Sequence, residues 1–152
     1  AIFRTRSLIT NDEELTARSL SMLQRMNLLE AADSLAGDLP YGLQRRLEIA
    51  RALATDPELL LLDEPAAGMN PQEKQDLMAL IRSIRSDFNL TVLLIEHDMK
   101  VVMGVCERIY VLDYGQIICE GKPEKIRNDP AVIAAYLGET TEQPAQAGAP
   151  AC

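Results

Sequence analysis

The sequence predicts an α/β fold with a mostly parallel sheet, and three observations carry that expectation. Two apolar runs, Leu59–Leu62 and Thr91–Ile95, are continuous rather than alternating, as in strands covered on both faces of a parallel sheet. A strongly signalled helix lies between them, and a strand–helix–strand order returns the chain parallel to itself. Further on, Asp113–Tyr114–Gly115 separates two short apolar segments, which reads as a hairpin on the edge of the sheet.

The elements follow in order. Ala1–Thr10 shows no clear period. A helix is expected from Asn11, which can cap it. Asp12, Glu13 and Glu14 favour the dipole in its first turn, and Leu15, Met22, Leu23 and Met26 form its apolar face. Leu28–Ala32 leads into the loop Gly37–Gly42. A second helix is expected over Leu43–Ala54, with Leu47, Ala50, Leu53 and Ala54 on one side. It stops at Asp56–Pro57, because the residue before a proline is pushed out of the helical region. The helix between the strands has Asn70 as N-cap, Pro71 at its first position and Glu73 completing a capping box. Leu77, Leu80, Ile81 and Ile84 are its core face.

A helix near Met99–Cys106 follows the second strand. The hairpin strands Ile109–Leu112 and Gln116–Cys119 come next, then two short helices. The second of these has Asp129 as cap, Pro130 next, and Val132, Ile133, Tyr136 and Leu137 as apolar residues. From Gly138 to Cys152 a composition of Pro, Ala, Gly, Gln, Thr and Glu reads as a flexible tail.

A length of 152 residues suits one domain with a sizeable core. No apolar run approaches the ~18–20 residues that span a bilayer, and no secretory signal is visible in the opening residues. Contact with a membrane is therefore expected to run through a protein partner. Three cysteines without paired spacing fit neither a disulfide framework nor a zinc site, and suit the cytoplasm. A net charge of −8 argues against a nucleic-acid partner.

Three places carry chemistry. Asp63 and Glu64 stand at the carboxyl end of the first apolar strand, the edge where α/β sheets bind ligands. They read either as a magnesium carboxylate and a water-polarising base, or as a strand end that carries two acids before a turn. His97, the single histidine, follows the second strand on the same edge. It is placed either to meet a phosphate or to cap the next helix, a role open to Asp98 as well. Leu39–Gln44 opens a helix whose first N–H groups favour an anion, although an ordinary loop-to-helix turn would look the same.

Taken in order, LPYGLQRRLEIARAL, LLLLDEP and LLIEHD resemble the signature motif, Walker B strand and switch histidine of the ABC ATPases. The resemblance runs from about Asn11 to Leu137. It implies part of a P-loop NTPase-type domain. Residues 11–54 would form its helical signature region and residues 55–137 the part from Walker B to the carboxy-terminal helices.

The resemblance implies ATP and Mg²⁺ as cofactors, Asp63 on the metal, Glu64 as catalytic base and His97 on the γ-phosphate. It places Leu39, Pro40, Tyr41, Gly42, Leu43 and Gln44 against the ATP of a second subunit, with Gly68 and Asn70 in the D-loop that meets that subunit. AAGMNPQE, EHDMKVVMGVCERIYVLDYGQIICEGKPEKI and NDPAVIAAYLGE are similar to ATP-binding subunits of branched-chain amino acid importers of the LivG type. Such a subunit docks on integral permeases at the inner face of the membrane and is served indirectly by a periplasmic substrate-binding protein. Relatives that share the closing Tyr136–Leu137–Gly138 include the ATPase of lipopolysaccharide export.

Two departures bear on activity. The sequence holds no GxxxxGK(S/T), and the expectation is that it begins just past that segment, so that the isolated chain binds ATP weakly and is inactive. The signature, usually LSGGQ or LSYGQ, reads Leu39–Pro40–Tyr41–Gly42–Leu43, and Pro40 lacks both the hydroxyl and the N–H of the usual serine. Loss of such donors costs on the order of 2–4 kcal/mol in phosphoryl transfer, which opens the alternative of a non-hydrolysing partner subunit. Pro40→Ser is expected to raise turnover in a protein carrying the whole nucleotide site; an unchanged kcat would count against this.

Overall fold

Helix ends organise this chain, and they lie in a computed structural model that describes residues 6–137, with side chains described over 12–136. The tail expected from Gly138 lies outside these residues. The chain divides into a unit reaching Val105 and a second from Cys106.

In the first unit, helix α1 spans Arg6–Arg25. It passes through Asn11, which therefore lies inside the helix and does not cap it; no Gly or Pro lies between Arg6 and Asn11 to stop the helix extending. Leu15, expected on the buried face, is 51% exposed. Burial shifts to the end of the helix, where Met22 and Leu23 are half-buried and Met26 is fully buried. Asn27 stops the helix at φ 55°. Its N–H donates to the Gln24 carbonyl and the Leu28 N–H to that of Leu23, which is a Schellman closure with Asn in the left-handed position.

Helix α2 (Tyr41–Leu53) buries Ile49, Ala50 and Leu53. Strand β1 (Leu59–Asp63) leads into helix α3 (Pro71–Asp87), and strand β2 (Thr91–Ile95) returns parallel to β1. The capping box forms as expected, with Asn70 accepting from the Gln72 and Glu73 N–H groups while Glu73 accepts from the Asn70 N–H. Helix α3 closes as α1 does. Asn89 at φ 48° lets its N–H reach Ser86 and the Leu90 N–H reach Arg85, and β2 begins one residue later.

Register in the parallel pair runs from Leu59 opposite Thr91 to Asp63 opposite Ile95. Leu60 and Leu62 turn inward and share one buried cluster with Leu77, Leu80, Ile81 and Ile84 of the α3 core face and with Met26 and Val101. The opposite face corrects the expectation of strands covered on both sides. Leu59, Leu61, Leu93 and Ile95 are 50–63% exposed, because among the described residues nothing packs over that face. Helix α4 (Met99–Val105) ends the unit.

In the second unit, strands β3 (Ile109–Asp113) and β4 (Gln116–Gly121) form an antiparallel hairpin. Tyr114 and Gly115 both take positive φ, 45° and 78°, as a type I′ turn requires. The hairpin is a separate two-stranded sheet and does not extend the β1–β2 ladder, which corrects the expected edge position. Strand pairing over long sequence separations leaves no local mark from which this could be read.

Ile109, Val111 and Cys119 are buried, as are Ile126 of helix α5 (Pro123–Arg127) and Val132 of helix α6 (Pro130–Leu137). Asp129 caps α6 through the Ala131 and Val132 N–H groups, and its other oxygen accepts from the Cys119 thiol at 3.1 Å. That bond raises the thiol above its ordinary value and lowers the carboxyl. Ile133 and Tyr136, expected on the apolar side of this helix, are 41% and 44% exposed. Among the described residues no helix is long and apolar enough to cross a membrane.

The open apolar face of β1–β2 makes self-association the expected behaviour of the isolated chain. Replacing Leu61 and Leu93 by lysine should lower the weight-average mass in sedimentation while leaving the circular dichroism unchanged. An unchanged mass would locate the adhesive surface elsewhere.

Candidate functional site

Both parallel strands end at one edge, and the register brings their exits together. The ladder continues one step past β1, with the Glu64 N–H donating to the Ile95 carbonyl at 2.9 Å. Glu64 takes φ 42°, a left-handed conformation for a residue with a Cβ. The chain then turns, the Ala67 N–H returning to the Glu64 carbonyl. Its side chain reaches the residue that follows β2 by two positions: Glu64 Oε1 lies 3.3 Å from His97 Nδ1. The carboxylate is 53% exposed and the imidazole 69% exposed. A polar contact this wet contributes little by itself, so backbone must hold the two groups together.

Glu96 supplies that backbone tie. Half-buried, it accepts the Ala66 N–H on Oε1 at 2.8 Å and the His97 and Asp98 N–H groups on Oε2 at 3.2 and 3.4 Å. A left-handed residue costs about 1–2 kcal/mol, and a hydrogen bond to a charged acceptor contributes about 1.5–3 kcal/mol. The tie is therefore large enough to hold the turn as observed.

Asp98 caps α4, accepting from the Lys100 and Val101 N–H groups, and its other oxygen takes Lys74 Nζ of α3 at 2.6 Å. The Lys74 ammonium and then the backbone N–H groups hold its carboxyl below the usual value against the opposing effect of burial. Asp63 is exposed at the end of β1 and pairs in register with Ile95.

A second cluster surrounds the start of α2. Pro40 is its N-cap residue and no side chain caps the first turn. Gln44 Nε2 donates to the Leu39 carbonyl at 2.7 Å and closes the preceding loop onto the helix. The Tyr41 ring lies near Gly68, where an added Cβ would meet it at 3.9 Å. Gly68 itself has φ 73°, a conformation that suits glycine. Pro40, Gly42, Leu43, Met69 and Glu73 line a groove of about 130 Å³. Asn70 is committed to the capping box of α3.

Comparison with known proteins decides what these motifs belong to. A family model for the ABC transporter matches residues 2–67, and one for the branched-chain amino acid ATP-binding cassette transporter matches residues 116–141. The chain is 52% identical over 138 residues to the high-affinity branched-chain amino acid transport ATP-binding protein LivG of Escherichia coli K12, covering 91% of this chain and 54% of that protein. It is 41% identical over 118 residues to the lipopolysaccharide export system ATP-binding protein LptB of Haemophilus influenzae, covering 78% of this chain and 48% of that protein. The crystal structure of the ADP conformation of MJ1267, an ATP-binding cassette of an ABC transporter, superposes with a TM-score of 0.76 at 32% identity. That match covers 83% of this chain and 51% of the other.

The chain belongs to the ABC transporter ATP-binding proteins.

It spans about half the length of the curated relatives it matches. As a cassette protein of this family, it brings two of the expected groups, Glu64 and His97, into contact, with Asp63 next to Glu64 in sequence at the end of β1. The signature-like loop meets a different partner, the loop holding Gly68 and Met69.

Glu96 and Lys74 were not among the expected site residues. Glu96 had a readable signal: it continues the inward-facing alternation of Val92 and Leu94, where a carboxylate requires a donor. Lys74 had none, since its partner lies 24 residues away.

Because the Asp98 carboxyl is lowered by folding, its charge contributes stability above the usual carboxylate range. That contribution is lost as the pH falls through the lowered value. Asp98→Asn keeps the cap and removes the charge, so it should cost about 1 kcal/mol at pH 7. The gap to the unmodified chain should narrow in thermal melts as the pH falls below the usual carboxylate range. A gap that is constant with pH would show that the charge contributes nothing.

Proposed function

We propose that the protein carrying this sequence is the ATP-hydrolysing subunit of an ABC importer of branched-chain amino acids. In the whole assembly it pairs with a second ATPase subunit and docks on integral permeases at the cytoplasmic face of the membrane, with a periplasmic substrate-binding protein delivering the cargo. Within this chain, residues 11–54 act as the helical signature region and residues 55–137 run from Walker B to the carboxy-terminal helices.

The observation that carries this reading is the 3.3 Å approach of Glu64 and His97 at the ends of paired parallel strands. A proton on His97 Nδ1 would be donated to Glu64, and one on Nε2 to a terminal phosphate. The Glu64 side chain takes the hydrogen bond of the attacking water and polarises it. Asp63 suits Mg²⁺, a cation that uses one or two carboxylates together with phosphate oxygens and water, and no larger ligand cluster exists among the described residues. Bound there, Mg²⁺ would neutralise charge developing on the phosphoryl group. Leu39, Pro40, Tyr41, Gly42, Leu43 and Gln44 face the ATP held by the second subunit. Gly68 and Asn70 lie in the loop that meets it.

One observation favours a second reading, a non-hydrolysing subunit paired with an intact one: Pro40 is the N-cap residue of α2 and gives it no side-chain cap, so the usual serine donors are missing. Turnover in a heterodimer with an active subunit separates the two readings.

The direct test fuses the remaining half of E. coli LivG ahead of this chain. The chimaera is expected to hydrolyse ATP with Mg²⁺, and Glu64→Gln to lower kcat by roughly 10²-fold or more. Equal turnover with Gln at that position would overturn the assignment of the base.

A further inference from the structure

Glu64 and His97 meet although both are largely in water, and their separate strands do not oblige them to. Strand pairing ends with the bond from the Glu64 N–H to Ile95. Past that point, besides the contact of Glu64 with His97 itself, the Glu96 side chain joins the two exits. Glu96 spans 30 residues of sequence to take the Ala66 N–H on one oxygen, while its other oxygen faces the N–H groups of its own neighbours, His97 and Asp98. A single carboxylate thus holds the turn that carries Glu64 and the segment that carries His97. Ala66 is itself buried, so the tied backbone is anchored in the core below it.

We infer that Glu96 is a positioning residue whose carboxylate sets the distance between Glu64 and His97. Its geometric content is independent of the proposed ATPase role; its effect on turnover rests on that reading. A glutamine at the position keeps one oxygen for the Ala66 N–H, although its amide nitrogen cannot accept from the His97 and Asp98 N–H groups. Alanine keeps neither contact.

The test compares Glu96→Ala and Glu96→Gln by two kinds of readout. In this chain, His97 is the single histidine, so its ring protons give unambiguous cross-peaks to the Glu64 side chain in NMR. The cross-peaks should be present in the unmodified chain, lost in Glu96→Ala and kept in Glu96→Gln. Exchange of the Ala66 amide should accelerate about tenfold or more in Glu96→Ala, while the amides of Leu60, Leu62, Val92 and Leu94 keep their protection. In the LivG chimaera, Glu96→Ala should lower kcat by about tenfold with the KM for ATP within about twofold, and Glu96→Gln should restore part of it.

Persistent cross-peaks in Glu96→Ala, their absence from the unmodified chain, or a general loss of protection across β1 and β2 would overturn the inference. Lost cross-peaks with unchanged kcat would overturn its link to turnover. A chimaera without any turnover would count against the ATPase reading, while the cross-peaks and amide exchange still decide the role of Glu96.

Discussion

Everything at the candidate site depends on the in-register parallel pairing of β1 with β2. Asp63 sits opposite Ile95 because Leu59 sits opposite Thr91, and each rung between them is fixed by the same ladder. A strand has a period of two, so a slip of one residue would carry Leu60 and Leu62 out of the core and bring Leu59 and Leu61 in. Since both sets are leucine, the strand's own composition does not forbid the slip. The forbidding groups are at its end. A slipped strand would point Glu64 away from His97 and pull the Ala66 N–H off Glu96. Core and site therefore share one register, with the polar ties at the exits adding specificity that four consecutive leucines lack.

That register is prepared by the way α3 begins and ends. Asn70 and Glu73 close its first turn, and Asn89 closes its last, so β2 starts one residue after a fixed backbone reversal. The capping box could be read from the sequence, because it is a local pattern with a local hydrogen-bond geometry. The closures at Asn27 and Asn89 could not be read in the same way. Asparagine enters the left-handed region readily, but it also serves in turns and at N-caps, and only the following leucine packing into the core selects this use. The early start of α1 has the same cause. Where no Gly or Pro intervenes, local propensity does not say where a helix begins, and a plausible cap such as Asn11 is absorbed into it.

The site shows the same division between local and distant causes. Asp63, Glu64 and His97 could be found because each directly follows a recognisable strand, and parallel strands share an exit edge. Topology then brings Glu64 and His97 to one edge, and the Glu96 tie joins the two exits there. Glu96 was overlooked because a charged residue after a strand reads as solvent-facing, although alternation through Val92 and Leu94 turns it inward. The pairing of Tyr41 with Gly68, and the ion pair of Lys74 with Asp98, depend on how helices pack and have no counterpart in either local sequence. The separate hairpin sheet belongs to this class as well, since the choice of pairing partner is not local.

The open face of the parallel pair shows what the leucine runs are for. Fully burying a Leu or Ile side chain contributes about 1.5–3 kcal/mol relative to leaving it exposed. Leu59, Leu61, Leu93 and Ile95 stand roughly half exposed, so about 3–6 kcal/mol of available burial is unused on this face. Net stabilities of whole domains are about 5–15 kcal/mol, so the unused part is comparable to the total. A strand meant to face water alternates, with polar residues at these positions, and these two do not. Their composition is that of strands covered on both sides, and an apolar cover over this face would stabilise the register that aligns Glu64 with His97. Protection of the site and completion of the core are then the same event, since both depend on the β1–β2 ladder remaining closed.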